Sequence, residues 1–302
     1  MSGMDLMKPA VPHNSSNRMR IFRRNPMAFL CGALILAMAF TAILAPELAP
    51  YHYDYEDTAH YSSFPSPPDH RHLLGTDNLG QDVLSRLIYG AGISLGVALV
   101  AVTIEALLGL PLGLAAGYYG GKTDAVLMRF TDVMFAFPDL LLAILLRAVL
   151  SSGVKPLPAW LNLASLFLAL GVVGWPPLTR LVRGQALAIR EMEFIEAARA
   201  VGSRDRTILF RHLLPNLLGP VIVQITQDIA GVILAEATLS FLGLGVQPPY
   251  PSWGRMISDA LPYKEVFPLL LLAPGLALTG SVLLFNFFGD ALRDLLDPRE
   301  RR

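Results

Sequence analysis

Charge is scarce in this sequence, and so are the residues from which catalytic and metal sites are built. Charged side chains make up 16% of the 302 residues against 53% hydrophobic ones, which excludes an ordinary soluble domain and points to a chain embedded in lipid. Basic and acidic residues balance at 24 each, so no overall field favours nucleic acid. The single cysteine, Cys31, sits in the first apolar run, which rules out a disulfide framework or a cysteine metal site within the chain. All six histidines, at 13, 52, 60, 70, 72 and 212, lie outside the apolar runs. Gly92-Ile93-Ser94-Leu95-Gly96 matches the GxSxG pattern of a serine nucleophile, but no histidine base stands at membrane depth and no strand precedes it. Gly92 and Gly96 read instead as one helix face, continued by Gly109, Gly113 and Gly117 at four-residue steps, a spacing for close helix packing. A phosphate loop is missing too. Gly117 to Thr123 ends in Gly-Lys-Thr, yet Ala116 occupies the place of the first glycine and an apolar helix precedes it. Any ATP hydrolysis therefore falls to another subunit.

What the chain has in abundance is apolar length. Runs near the roughly 20 residues that cross a hydrocarbon core occupy 27–46, 90–117, 127–150, 161–179, 216–239 and 266–289. They predict six spans, all helical, because lipid leaves backbone groups to satisfy themselves and the ten-residue alternation of a membrane barrel is absent. The first run follows Arg18, Arg20, Arg23 and Arg24 like a signal peptide, but exceeds the usual apolar core of about 7–15 residues and reads as a retained anchor.

Lys and Arg divide unevenly between the two sides. Eighteen fall before residue 27, in 118–129, in 180–212 and after 290, whereas the loops 50–86, 151–160 and 243–265 hold five. The positive-inside rule then places both termini and the 180–215 segment in the cytoplasm. The expected organisation is a cytoplasmic tail over 1–26, an anchor over 27–48 and an extracytoplasmic loop over 49–86. A five-helix core over 87–290 and a cytoplasmic tail over 291–302 complete it. Within the loop, Leu74 to Leu87 reads as a capped amphipathic helix on the outer face.

The long basic segment from Arg190 to Asn216 carries the most information. Helix formers fill 191–201, where Met192, Ile195, Ala198 and Val201 recur at three-residue steps as one apolar stripe. Gly202 supplies a left-handed cap. Ser203 is the expected cap of a second helix, with Asp205 in its first turn, running to Leu214 before Pro215. The product is a helix, a tight turn and a helix.

In this segment Glu196-Ala197-Ala198, Gly202 and Leu214-Pro215 reproduce the EAA pattern of permease subunits of type I ATP-binding-cassette importers, with His212 in the place of isoleucine. The stretches at 73–95, 135–143, 240–257 and 285–298 resemble the C-type permeases of dipeptide, oligopeptide and nickel importers, and Gly92 stands where that pattern leads one to expect arginine. The resemblance spans about residues 69–298. It implies an all-α integral membrane permease with about six spans, paired with a homologous sister permease, two cytoplasmic ATPase subunits that bind ATP and magnesium, and an external substrate-binding protein. This chain itself would hold no cofactor, no metal and no catalytic residue. Glu196, Ala197, Ala198, Arg199 and Gly202 would couple it to an ATPase, whose groove the helix enters. For any one charged residue there, a merely solvated position remains the alternative.

Glu105, Asp228 and Glu236 lie inside the spans, where carboxylates must face protein, water or a partner. Gln224, Gln227 and Asp228 share helical spacing and are candidates to line a pathway, with pairing between helices as the alternative. Peptides are the expected cargo, nickel chelates or other small solutes of the same branch the alternative. An ion-coupled transporter relaying protons through Glu105 and Asp228 is the other class, and the EAA segment speaks against it.

Overall fold

The computed structural model describes residues 26–61, 63–151 and 158–296. The tails beyond them, and with them most of the expected cytoplasmic tails, lie outside the described residues. Among the described residues there is no strand, only two isolated bridges, Glu56–Gln81 and Thr76–Asp82.

The longer helices are α1 (Pro26–Ile43), α2 (Val83–Tyr119), α3 (Gly121–Phe135), α4 (Asp139–Ser151), α5 (Ala159–Arg190), α6 (Glu193–Ala200), α7 (Asp205–Phe241), α8 (Trp253–Ala260) and α9 (Pro268–Leu296). Five of them are long and apolar enough to cross a membrane, and α3 with α4 makes a sixth span if that pair is counted as one. The third span was expected unbroken over 127–150. Instead it bends by 85° between α3 and α4, where Pro138 disfavours helical geometry at Phe137 and donates no hydrogen bond of its own.

The centre of the fold is the parallel pair α2 and α5, held close by missing side chains. A Cβ on Gly113 would lie 2.6 Å from the Thr179 carbonyl oxygen, one on Gly117 2.6 Å from Ala186 Cβ, and one on Gly171 2.6 Å from Ile104 Cβ. Two glycines of the expected face do other things. Gly92 turns to Ala42 of α1, where a Cβ would come within 3.3 Å of the carbonyl oxygen, and Gly96 faces open space. The glycine in place of the expected arginine thus lets α1 approach α2.

The reading of 74–87 as a helix is corrected. Asp77, which resembles a cap in sequence, folds its carboxylate back onto the Leu79 and Gln81 amides at 2.9 and 3.0 Å. Gly75 and Gly80 take positive φ of 79° and 80°. The cap is Asp82, which accepts from Ser85 N at 2.7 Å, so helix begins only at Val83 and continues straight into the span. The preceding segment is folded coil around buried His72, whose ring nitrogens meet Asp82 at 2.9 Å and Asp57 at 3.3 Å. Tyr61 donates to Asp69, which holds the Asp69 carboxyl down at about 2 and pushes the Tyr61 phenol up to about 12.

The second helix of the 190–215 segment does not stop at Leu214. It passes through a π-helical turn, Ile208–Leu213, and runs on to Phe241. The wider turn fits a proline that offers no amide, and Asn216 Nδ2 donates to the His212 carbonyl at 2.7 Å. Ser203 caps nothing, since the N-cap is Arg204 without a side-chain bond.

Candidate functional site

Helix α6 is short, and its sequence decides how it sits. Ile195 is fully buried and Ala198 nearly so, within an apolar cluster that includes Tyr118, Ile189, Ile208 and Leu213. The expected stripe is therefore only half used. Met192 and Val201 are exposed, Val201 by 80%, alongside Phe194. Ala198, expected with its neighbours on the docking face, instead seats the helix against its own chain. Glu196, Ala197 and Arg199 point outward. Glu196 has no side-chain partner among the described residues, and the Arg199 guanidinium lies 5.5 Å from the centre of the Tyr118 ring. Tyr118 in turn donates to Asp205 at 2.7 Å.

Gly202 is left-handed, with φ of 79°. Its amide reaches the Arg199 carbonyl at 2.9 Å and that of Ser203 the Ala198 carbonyl at 3.0 Å, the paired bonds of a Schellman cap. The turn reverses the chain so that His212 comes back within 6.5 Å of Phe194, ring centre to ring centre. A carboxylate, a guanidinium, a small alanine and an aromatic ring thus share one exposed helix face, a surface suited to a groove in a partner.

Ion pairs absent from the sequence reading tie this end together. Arg183 grips Asp124 through two nitrogens at 2.5 and 2.7 Å, and Arg180 reaches Asp132 at 2.6 Å, both joining α5 to α3. Arg190 donates to the Gly117 and Tyr118 carbonyls at 3.3 Å, closing the end of α2. No spacing rule pairs residues 48 or 59 positions apart.

The polar face of α7 divides. Gln224 donates to Asp228 at 2.8 Å along the same helix, whereas Gln227 reaches Asp290 of α9 at 3.3 Å and packs over Gly289. Gln227 thus pairs between helices. Asp228 is half-buried, and Glu105 of α2 is buried. Glu236 is fully buried and accepts from Ser240 at 2.6 Å and Ser252 at 2.8 Å, which fastens the start of α8 to α7.

The family model for the binding-protein-dependent transport system inner membrane component matches residues 109–302, and that for the N-terminal membrane domain of oligopeptide transport permease C matches 16–68. This chain belongs to that permease family. It is a C-type permease subunit of the peptide branch of ABC importers, a multi-pass protein of the inner membrane. The Glutathione transport system permease protein GsiD of Pectobacterium atrosepticum is 40% identical over 280 residues, 93% of this chain and 89% of that protein. That of Escherichia coli O6:K15:H31 is 41% identical over 300 residues, 99% and 95% of the two chains. The permease fold also recurs in a solved structure of the MetNI methionine ABC transporter in inward-facing conformations. There the TM-score is 0.54 at 20% identity, over 70% of this chain and 96% of that one.

Proposed function

We propose that this permease forms half of a translocation pathway for short peptides, delivered by an external binding protein and driven by two ATPase subunits that dock on α6. A homologous sister permease supplies the other half. Both termini and the 190–215 segment face the cytoplasm, and the 49–82 segment and α8 face outward, as the distribution of Lys and Arg requires. Relatives named for glutathione transport favour a short peptide as cargo.

The observation that carries this reading is the seating of α6. It is anchored by Ile195 and reversed by Gly202, and it presents Glu196, Ala197, Arg199 and Phe194 to solvent. Because α6 follows α5 within three residues, a push on it is delivered to a helix of 32 residues, about 48 Å long. ATP-driven closure of the partners then rocks the spans between inward-open and outward-open arrangements. Asp228, with Gln224, gives a weak acidic handle for a peptide's amino group in the pathway.

The test uses the near absence of cysteine. With Cys31 replaced by alanine, Glu196→Cys becomes the sole thiol of the chain. A bifunctional thiol reagent should join it to single cysteines placed along the ATPase groove in the assembled complex, and should do so differently with and without ATP. No cross-link in a complex that transports would remove α6 from the ATPase interface.

A further inference from the structure

Arg147 is a cation within a membrane span, on α4, with 3% of its surface exposed. A buried guanidinium in lipid is costly unless its donors are used, and it marks a working part more often than a filler. Here the donors reach two other elements. Nε donates to the Leu244 carbonyl at 3.1 Å, and the terminal nitrogens bond Ser165 Oγ and Asn162 Oδ1 in the first turns of α5.

Leu244 belongs to the segment 242–252 that leaves α7 and leads to α8. That segment begins in a left-handed turn at Gly243, with φ of 79°, and the Leu244 amide returns to the Leu239 carbonyl at 2.8 Å. Val246 is buried, its amide bonded to Ser240 Oγ at 3.2 Å, and Ser252 bonds Glu236. The segment is thus folded over the end of α7 and tied sideways to α5 through Arg147. Helix α5 is continuous from Ala159 to Arg190, so the helix that holds Arg147's partners at one end carries α6 at the other. Helix α4 stands at 85° to α3.

Resting on the ATP-driven importer reading above, we propose that Arg147 is a positioning residue of the outer gate. Its guanidinium fastens the 242–252 segment to the outer ends of α4 and α5, so that a displacement of α5 imposed at α6 moves that segment. The planar fork matters as well as the charge. Lysine offers a point cation that cannot hold a loop carbonyl and two α5 side chains at fixed angles.

The experiment uses the full complex with sister permease, ATPases and binding protein in lipid nanodiscs and proteoliposomes. A Pro248→Cys reporter on the exposed part of the segment is placed in a Cys31→Ala background. Its labelling by a soluble maleimide is timed without nucleotide and with ATP trapped by vanadate. In the parental complex the two rates should differ at least severalfold. Arg147→Met should assemble and keep basal ATPase within about twofold, while its labelling no longer responds to nucleotide and its uptake falls tenfold or more. Arg147→Lys should fall between. Unchanged uptake with nucleotide-dependent labelling in Arg147→Met would overturn the proposal. If that variant does not assemble, Arg147→Lys and Asn162→Ala decide by the same readout, and failure of all three to assemble reduces Arg147 to folding and overturns it. Absence of ATP-dependent uptake in the parental complex refutes the importer reading itself, a result distinguishable from the failure of Arg147 alone.

Discussion

Replacing Gly202 by valine tests whether the turn after α6 is part of the machine. The residue sits at φ of 79°, where an L side chain costs about 1–2 kcal/mol, more when branched at Cβ. A Cβ there meets nothing within 4 Å, so the cost is backbone strain alone. Opposing it are the two cap bonds, at 2.9 and 3.0 Å, each worth about 1 kcal/mol. The two effects nearly cancel, so the turn should spend much of its time open. Ile195, fully buried, adds about 2 kcal/mol that does not depend on the turn and should keep α6 on the protein. Assembly should therefore survive while peptide uptake per complex drops severalfold and ATP hydrolysis loses its stimulation by the loaded binding protein. Gly202→Asn is the control, because asparagine tolerates the left-handed region, and it should transport near the parental rate. Uptake by Gly202→Val at the parental rate and normal expression would refute the reasoning. Equal loss in both variants would assign the effect to a steric clash with the partner.

Gly113→Val forces a branched side chain to within 2.6 Å of Thr179 O and 2.7 Å of Val182 Cβ. It should cost at least about 1–3 kcal/mol, seen as a lower melting temperature and yield in detergent, while Gly96→Val, facing open space, should melt like the parent. The stability that the Tyr61–Asp69 contact contributes should be fully present from about pH 4 to about pH 10 and fall away beyond. Its acid limit comes as pH falls through about 2 for Asp69 and its alkaline limit as pH rises through about 12 for Tyr61. Absorbance titration at a tyrosinate wavelength should lose a late-ionising component in Tyr61→Phe, and loss of an ordinary component would contradict the pairing. Asp228→Asn should keep assembly and ATPase association but reduce uptake severalfold. Parental transport of every peptide tested would reject its pathway role, and failure to assemble would show that its pairing is structural.

The features legible in the sequence were those set by local rules. Apolar length located the spans, because lipid permits little else, and four-residue glycine spacing found the α2–α5 contact at Gly109, Gly113 and Gly117. Gly202 was found because a left-handed cap leaves a glycine after a run of helix formers. Helix ends were less legible. Arg180, Arg183 and Arg190 suggested an end to α5 near 179, but a helix can leave the membrane without stopping. The helix expected from Leu74 begins only at Val83, because Asp77 bonds its own loop and the cap is Asp82. Pro215 looked like a stop because a π turn has no sequence signature that distinguishes it. The links Arg183–Asp124, Gln227–Asp290 and Arg147–Leu244 join residues 59, 63 and 97 positions apart. Of these, only Gln227, for which pairing between helices is the alternative to lining a pathway, carries a signal in the sequence.

On the proposed function, this permease moves peptide only when ATP is hydrolysed by its partners. The direct measurement is uptake of labelled short peptide into proteoliposomes, with the complete complex and ATP on the ATPase side or with this chain alone under an imposed ion gradient. Uptake should require ATP, the sister permease and the binding protein, and the isolated chain should show none. Gradient-driven uptake by the isolated chain, or ATP hydrolysis by the clean subunit, would contradict it.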